Sequence, residues 1–270
     1  MEIKLHPIVK IISIIVAIIV IFLMYLRFIS TSGFIVKEYK VVNKNIGEYH
    51  GLKVVHFSDI HYKSSIDSDD LKKIVEKINY INPDIVVFTG DIFDKDINYN
   101  DNDIKVLTDI FKSINASYKK YAISGDNDNK ENYKRIIGNS DFIDLNDSYD
   151  LIYSKSKKPI LITGSIDKAN EYMLDENAEQ TYSILLLHEP DKIKVTNNFD
   201  LVLAGHSLNG QIKLPFIGGI RKMAGAETFY DEYYKVNKTD LYISGGLGTN
   251  KVNLRYFNKP SINFYRITKK

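Results

Sequence analysis

No cysteine occurs among the 270 residues of the chain. That excludes disulfides and thiolate zinc sites, and it suits a protein outside the reducing cytosol. Charge of one sign is also scarce: the net charge is only +2. The lysines are scattered rather than gathered in a block, so no nucleic acid partner is indicated. There is no internal repeat and no low-complexity tract. No Pro- or Gly-rich linker divides residues 51–270, which therefore read as one domain. What is present is ordinary for a folded chain. Hydrophobic residues make up 44%, enough to fill a core, and charged residues 26%.

The N-terminus departs from this. From Ile11 to Leu26 the chain is almost purely apolar, bracketed by Lys10 and Arg27. With Ile8, Val9, Phe28 and Ile29 the run approaches the roughly 20 residues that span a bilayer. No polar face interrupts it, which argues against a buried core helix. A cleaved signal peptide is the alternative, and Ser30 and Ser32 are small enough for a cleavage site. The run nevertheless exceeds the usual signal-peptide core of about 7–15 residues. Residues 1–30 thus read as a single-pass anchor in the cell membrane. Lys4 and Lys10 precede the run, and Arg27, Lys37 and Lys40 follow it. The charge signal for orientation is weak, and the expectation adopted is a domain facing outward from the cytoplasm.

Residues 31–50 read as a linker with an edge strand. Beyond them, strand and helix patterns alternate. Leu52 to Phe57 is an apolar strand. Leu71, Ile74, Val75, Ile78 and Ile81 have helical spacing behind an Asp/Ser cap. A second strand, "PDIVVFTGD", a second amphipathic helix, "DIKVLTDIFKSI", and a third strand, "YKKYAISGDND", follow. The second half has more strands, including "YSILLLHEP", "FDLVLAGH" and "PSINFYRIT". This pattern predicts an α/β domain over residues 51–270.

Five apolar strands end in polar clusters. The first carries Asp59 and His61, the second Asp91, the third Asp126 to Asp128, the fourth His188 and the fifth His206. Singly, each has a plain structural explanation: a turn, a surface pair, a hydrogen-bonded rim histidine. Five in succession make coincidence a poor account. In open α/β sheets ligands bind at the carboxyl ends of strands. Side-by-side strands would bring together several carboxylates and three imidazoles. That donor mix suits Mn, Fe, Zn or a similar divalent ion rather than Ca²⁺. Glycines before Asp91, Asp126 and His206 permit close turns. His6, His50 and His56 lack this context and read as structural or exposed.

The ordered set "SDIH", "TGD", "GDND", "LHEPD" and "AGHSLNGQIKLP" resembles the calcineurin-like metallophosphoesterases, most closely their membrane-associated bacterial branch. The resemblance runs from about Leu52 to the C-terminus. It takes in "ISGGLGTNKVNLRYFNKPSINFYRIT", with that branch's closing Gly-Leu-Gly loop, Arg and final strand. It implies two packed mixed β-sheets flanked by helices and a two-metal site at the strand ends. By the resemblance, Asp59 and His61 bind a first metal and Asp91 bridges both. Asp126, standing where the family has Asn, binds the second with His188 and His206. Asp128 matches the acidic residue that closes the third motif. The implied reaction is phosphoester hydrolysis by a bridging hydroxide in an in-line displacement.

Two positions depart from the family pattern. Asn127 stands where a histidine usually assists the leaving group, so Asn127 and Asp128 are the candidate catalytic residues beside the metals. Leu208 stands where the last ligand of the first metal is expected, and leucine binds no metal. The second-metal set is complete, the first reduced, so one ion is expected to bind more tightly than the other. The implied activity is hydrolysis of a phosphomonoester, phosphodiester or pyrophosphate bond in a phosphorylated small molecule or lipid-linked substrate. The alternative is an inactive relative that binds a metal or phosphoryl ligand at the membrane. The segment "FIGGIRKMAGAETFYDEYY" is expected to border the site.

Overall fold

The structure, a computed structural model, describes residues 6–153, 158–175, 182–193 and 199–270. Helix α1 (Pro7–Met24) starts with proline at its first turn, where a missing N–H costs nothing. It runs on through a π-turn to Ile29, giving 23 residues long and apolar enough to cross a membrane. In chain order follow β1 (Ile35–Val42), β2 (Leu52–Phe57), α2 (Ser68–Ile81), β3 (Ile85–Phe88), α3 (Asp101–Lys112), β4 (Lys119–Ala122), α4 (Lys130–Gly138), β5 (Phe142–Asp144), β6 (Tyr149–Ile152) and β7 (Ile160–Thr163). Then come α5 (Ile166–Met173), β8 (Tyr182–Leu187), β9 (Leu201–Ala204), the short pair β10 (Lys213–Leu214) and β11 (Gly218–Gly219), β12 (Tyr233–Val236), β13 (Thr239–Ile243) and β14 (Ser261–Thr268).

Two six-stranded mixed sheets carry the domain. One has the order β1-β14-β2-β3-β4-β5, the other β12-β13-β9-β8-β7-β6. Strands β2 to β5 run parallel, as do β7, β8, β9 and β13. Parallel strands covered on both faces read as unbroken apolar runs, which is how β3, β9 and residues 184–187 of β8 appear in the sequence. Alternation divides their side chains between two layers. Val54, Ile85 and Val87 face the other sheet and meet Ile160, Ile184, Leu186 and Leu203. Val55, Val86 and Phe88 face the opposite way, onto Leu71, Ile78, Leu107 and Phe111 of α2 and α3. On the far side of the second sheet, α5 buries Ala169 against Leu161, Leu185 and Val202. The result is two sheets packed face to face with helices outside. Each fully buried large apolar side chain contributes about 1.5–3 kcal/mol.

The helices begin where their caps dictate. Asp67 accepts from the amides of Asp69 and Asp70 at the start of α2. Asn100 and Asp103 form a reciprocal capping box at the start of α3. His56 has the parity of Val54 and is fully buried between the sheets. Its Nε2 lies 2.8 Å from Thr89 Oγ1, and burial drives its pKa down to about 3. It is a neutral structural histidine. His50 lies far off and accepts from the Lys269 amide.

Phe111 joins α3 to the sheet through ring contacts with Phe57, Phe88 and Phe142. Truncation there leaves a cavity that the surrounding rings cannot collapse into. Phe111→Ala should lower the unfolding free energy by about 3–5 kcal/mol, read from the denaturant midpoint, whereas Phe111→Leu should cost clearly less.

Candidate metal centre

The parallel register sets the tips of the strands level. Phe57 pairs with Phe88, Phe88 with Ala122, and Leu187 with Ala204. The residues just beyond these ends therefore arrive at one edge of the sandwich. Their loops are tightly wound. Asp59, His61, Asp91 and His206, four of the six expected ligands, adopt left-handed backbone conformations. Such angles are uncommon for non-glycine residues and are kept where surroundings enforce them. Gly90 has φ +94°, and a β-carbon on it would stand 2.3 Å from the Gly125 nitrogen. A β-carbon on Gly205 would stand 2.1 Å from Ser58 Oγ. Both glycines permit close approaches that no side chain would allow.

Asp91, Asp126, His188 and His206 bring four donor atoms together, and Asp59, His61 and Asp91 form an adjoining group of three. Asp91 belongs to both. His188 Nε2 lies 3.1 Å from Asp126 Oδ1, 3.5 Å from Asp91 Oδ1 and 3.2 Å from His206 Nδ1. His206 Nδ1 is also 3.1 Å from Asp126 Oδ1.

The outward nitrogens decide what the inward ones can be. His188 Nδ1 donates to the Thr89 carbonyl at 2.6 Å, and His206 Nε2 donates to the Ala224 carbonyl at 2.8 Å. A carbonyl oxygen only accepts, so the network assigns the N–H to those positions. In the neutral rings, Nε2 of His188 and Nδ1 of His206 then carry lone pairs aimed at each other. Two lone pairs and two carboxylate oxygens at such spacing form the donor set of a divalent ion.

The second group passes a similar test. His61 is buried; its Nδ1 lies 2.6 Å from Asp94 Oδ1 but outside hydrogen-bond geometry, and its Nε2 likewise has no hydrogen-bond partner. That nitrogen stands 4.0 Å from both Asp59 Oδ1 and Asp91 Oδ2. This is too far for hydrogen bonds and suited to ligands sharing one ion. Leu208 is fully buried and contributes no donor. Its Cδ2 packs against the α-carbon face of Gly246, which Asp59 Cβ also borders. Ser207 and Asn209 do not replace it. The Ser207 hydroxyl donates to the Tyr230 carbonyl. The Asn209 amide, oriented to satisfy both ends, bonds with Ile243 O and Gly245 N.

The electrostatics match a cation site. Burial works against charge on His188, yet Asp91 and Asp126 hold its pKa well above the ordinary value. Burial likewise opposes charge on His206 and His61, and their carboxylate neighbours, Asp126 and Asp94 foremost, reverse it. When those two rings carry a second proton, the hydrogen bonds then donated by His188 Nε2 and His206 Nδ1 hold Asp126 below the usual carboxylate range. Asp59, desolvated and beside Asp91, is pushed upward. A divalent cation answers this negative field directly.

Asn127 and Asp128 both act on Asp91. Asn127 donates to Asp91 from its backbone N at 3.0 Å and from Nδ2 at 2.5 Å. The Asp128 carboxylate accepts from the amides of Asp91, Ile92 and Gly125. Burial and the Asp91 charge push its pKa up to about 6. Several supporting groups lie outside the motifs that mark the ligands in the sequence. Asp94 is a carboxylate three residues after Asp91, outside the strand-end motifs. The Thr89 and Ala224 carbonyls carry no side-chain signature. Arg255, fully buried, donates to the carbonyls of Gly245, Gly246, Gly248 and Asn258. It thereby fixes the loop whose Leu247 and Gly248 amides donate to Asp59 O.

A cleft of about 620 Å³ opens over the four-residue group. Asp126, Asn127 and His206 line it, and Lys95, Arg221, Lys222 and Lys251 stand around it. Residues 221–224 of the segment expected to border the site do so.

Comparison with known proteins agrees with this geometry. The chain is 30% identical over 232 residues to the metallophosphoesterase YkuE of Bacillus subtilis (strain 168), covering 81% of this chain and 80% of that one. It is 30% identical over 236 residues to the metallophosphoesterase Cj0846 of Campylobacter jejuni, covering 78% of this chain but only 58% of that one. It is 25% identical over 280 residues to the UDP-2,3-diacylglucosamine pyrophosphatase LpxG of Chlamydia muridarum, with 81% and 84% covered. The family model for calcineurin-like phosphoesterases matches residues 52–247, and the chain belongs to that family.

Proposed function

We propose that the protein is a membrane-anchored, metal-dependent phosphoesterase acting on a lipid-linked substrate, with a phosphoanhydride or phosphodiester as the bond cleaved. The observation that carries this is the pair of ring nitrogens on His188 and His206, aimed at each other beside Asp126 and Asp91. Asp91, Asp126, His188 and His206 would hold the tighter ion, and Asp59, His61 and Asp91 the weaker. Bound divalent ions supply acidification of water and charge neutralisation on the phosphoryl oxygens.

The chain's own residues do the rest. Asn127 holds Asp91 in place through two hydrogen bonds. Its amide does not titrate near neutral pH, so it positions and does not deliver a proton. Asp128 positions the same loop through three backbone amides. Arg221 is anchored by the Asn250 carbonyl and side chain, and with Lys222 and Lys251 it adds cations to a cleft lining that also holds the carboxylates Asp94, Asp96 and Asp126. That arrangement favours a substrate with more than one phosphate. The LpxG similarity and the apolar α1 favour one with a lipid portion.

Hydrolysis of bis(p-nitrophenyl) phosphate by the full chain with Mn²⁺ tests the reading. Asp91→Asn should lower turnover by at least about a hundredfold, since it weakens both ion sites. Equal rates in the two proteins, both at background, would favour a binding role without catalysis. Leu208→His restores a donor to the weaker group. It should lower the Mn²⁺ concentration needed for half-maximal activity by about tenfold or more, in line with ligand-shell effects on affinity. An unchanged Mn²⁺ dependence would mean the missing ligand does not limit loading.

A further inference from the structure

We propose that the β10–β11 hairpin and the neighbouring Val252–Lys259 loop dock onto the surface of an anionic lipid bilayer, beside the cleft. The hairpin tip is unusually apolar for exposed structure. Phe216 is fully exposed, Ile217 is 70% exposed and Ile220 54%. Contiguous exposed apolar groups of this kind mark interaction surfaces. Nothing else among the described residues covers them.

The occupant follows from continuity with α1. The hairpin grows from Ile212, which bridges to Tyr256, and the Lys213 amide donates to the Tyr256 carbonyl. The Tyr256 ring meets Phe22 of α1 edge-on at 5.4 Å, and the Arg255 amide donates to Leu26 O. Phe22 lies seven residues before the apolar helix ends at Ile29, which is about 10 Å further in at 1.5 Å per residue. If α1 spans a hydrocarbon layer of about 30 Å, a loop touching Phe22 has already entered the outer edge of that layer. The loop is built for this. Phe257 is 67% exposed and Val252 48%. Exposed Lys251 and Lys259 flank them, the pairing of apolar tip and cationic flank seen in interfacial segments. On the hairpin side, Lys213 is engaged with Asp231, which reduces local charge, while Lys222 is exposed.

The same hairpin leads straight into Arg221 and Lys222 at the cleft. Docking would open the site toward lipid headgroups. This deepens the proposed function and rests on the reading of α1 as a membrane span.

The absence of cysteine makes the test clean. Full-length Ile217→Cys, Ile15→Cys and Tyr80→Cys each carry one environment-sensitive fluorophore. The proteins are reconstituted into phosphatidylglycerol–phosphatidylethanolamine vesicles containing spin-labelled lipid. Tyr80, 81% exposed at the end of α2, is the water-facing reference. The expected result is lipid quenching at 217 several-fold above that at 80. Quenching at 217 equal to that at 80, with 15 quenched, overturns docking and leaves the anchor intact. Protection of 217 from aqueous iodide without lipid quenching also overturns it, by assigning the patch to a second copy. Quenching at 217 with 15 unquenched removes the span from which the placement is argued and so overturns the proposal as stated. None of these readings depends on turnover, so failure of the phosphoesterase proposal is seen separately.

Discussion

Asp91 is the residue on which the centre depends. Its carbonyl accepts the Ile60 amide and its own amide is held by Asp128. Its carboxylate faces His188 on one side and His61 on the other, while Asn127 grips both oxygens. Loops from β2, β3, β4 and β8 thus converge on one carboxylate. Buried carboxylates so close repel one another unless positive charge lies between them. The left-handed backbone at Asp59, His61, Asp91 and His206 adds to that cost. The surrounding sheets are rigid enough to enforce the arrangement, because their parallel strands are buried on both faces.

The two departures from the family pattern differ in character. Leu208 removes a donor and fills its space with hydrocarbon against Gly246. The group of Asp59, His61 and Asp91 still offers three donor atoms close together. Asn127 keeps a hydrogen-bonding role, directed at Asp91. Asp126 replaces a neutral ligand with a charged one, beside two imidazoles whose outward N–H groups are tied to carbonyls. On the proposed reading, the tighter ion site carries an extra charge and the weaker one lacks a ligand.

Much of this was legible in the sequence. Apolar runs ending in Asp, Gly-Asp or Gly-His mark the strand tips, and helical spacing marks α2 and α3. Helices α4 and α5 span only nine and eight residues, too short for periodicity to stand out. The pairing of β1 with β14 joins opposite ends of the chain, which local pattern does not encode. The Thr89 and Ala224 carbonyls that set the histidine tautomers belong to the backbone and have no residue signature. Asn209 and Ser207, candidates by position in the loop, spend their polar groups on Ile243, Gly245 and Tyr230.

The most direct test of the central claim is anomalous X-ray scattering from crystals of the full chain equilibrated with Mn²⁺. The account predicts a strong peak among Asp91, Asp126, His188 and His206, and a weaker one beside Asp59 and His61. No anomalous peak at either place, with those side chains in the same positions, would contradict it.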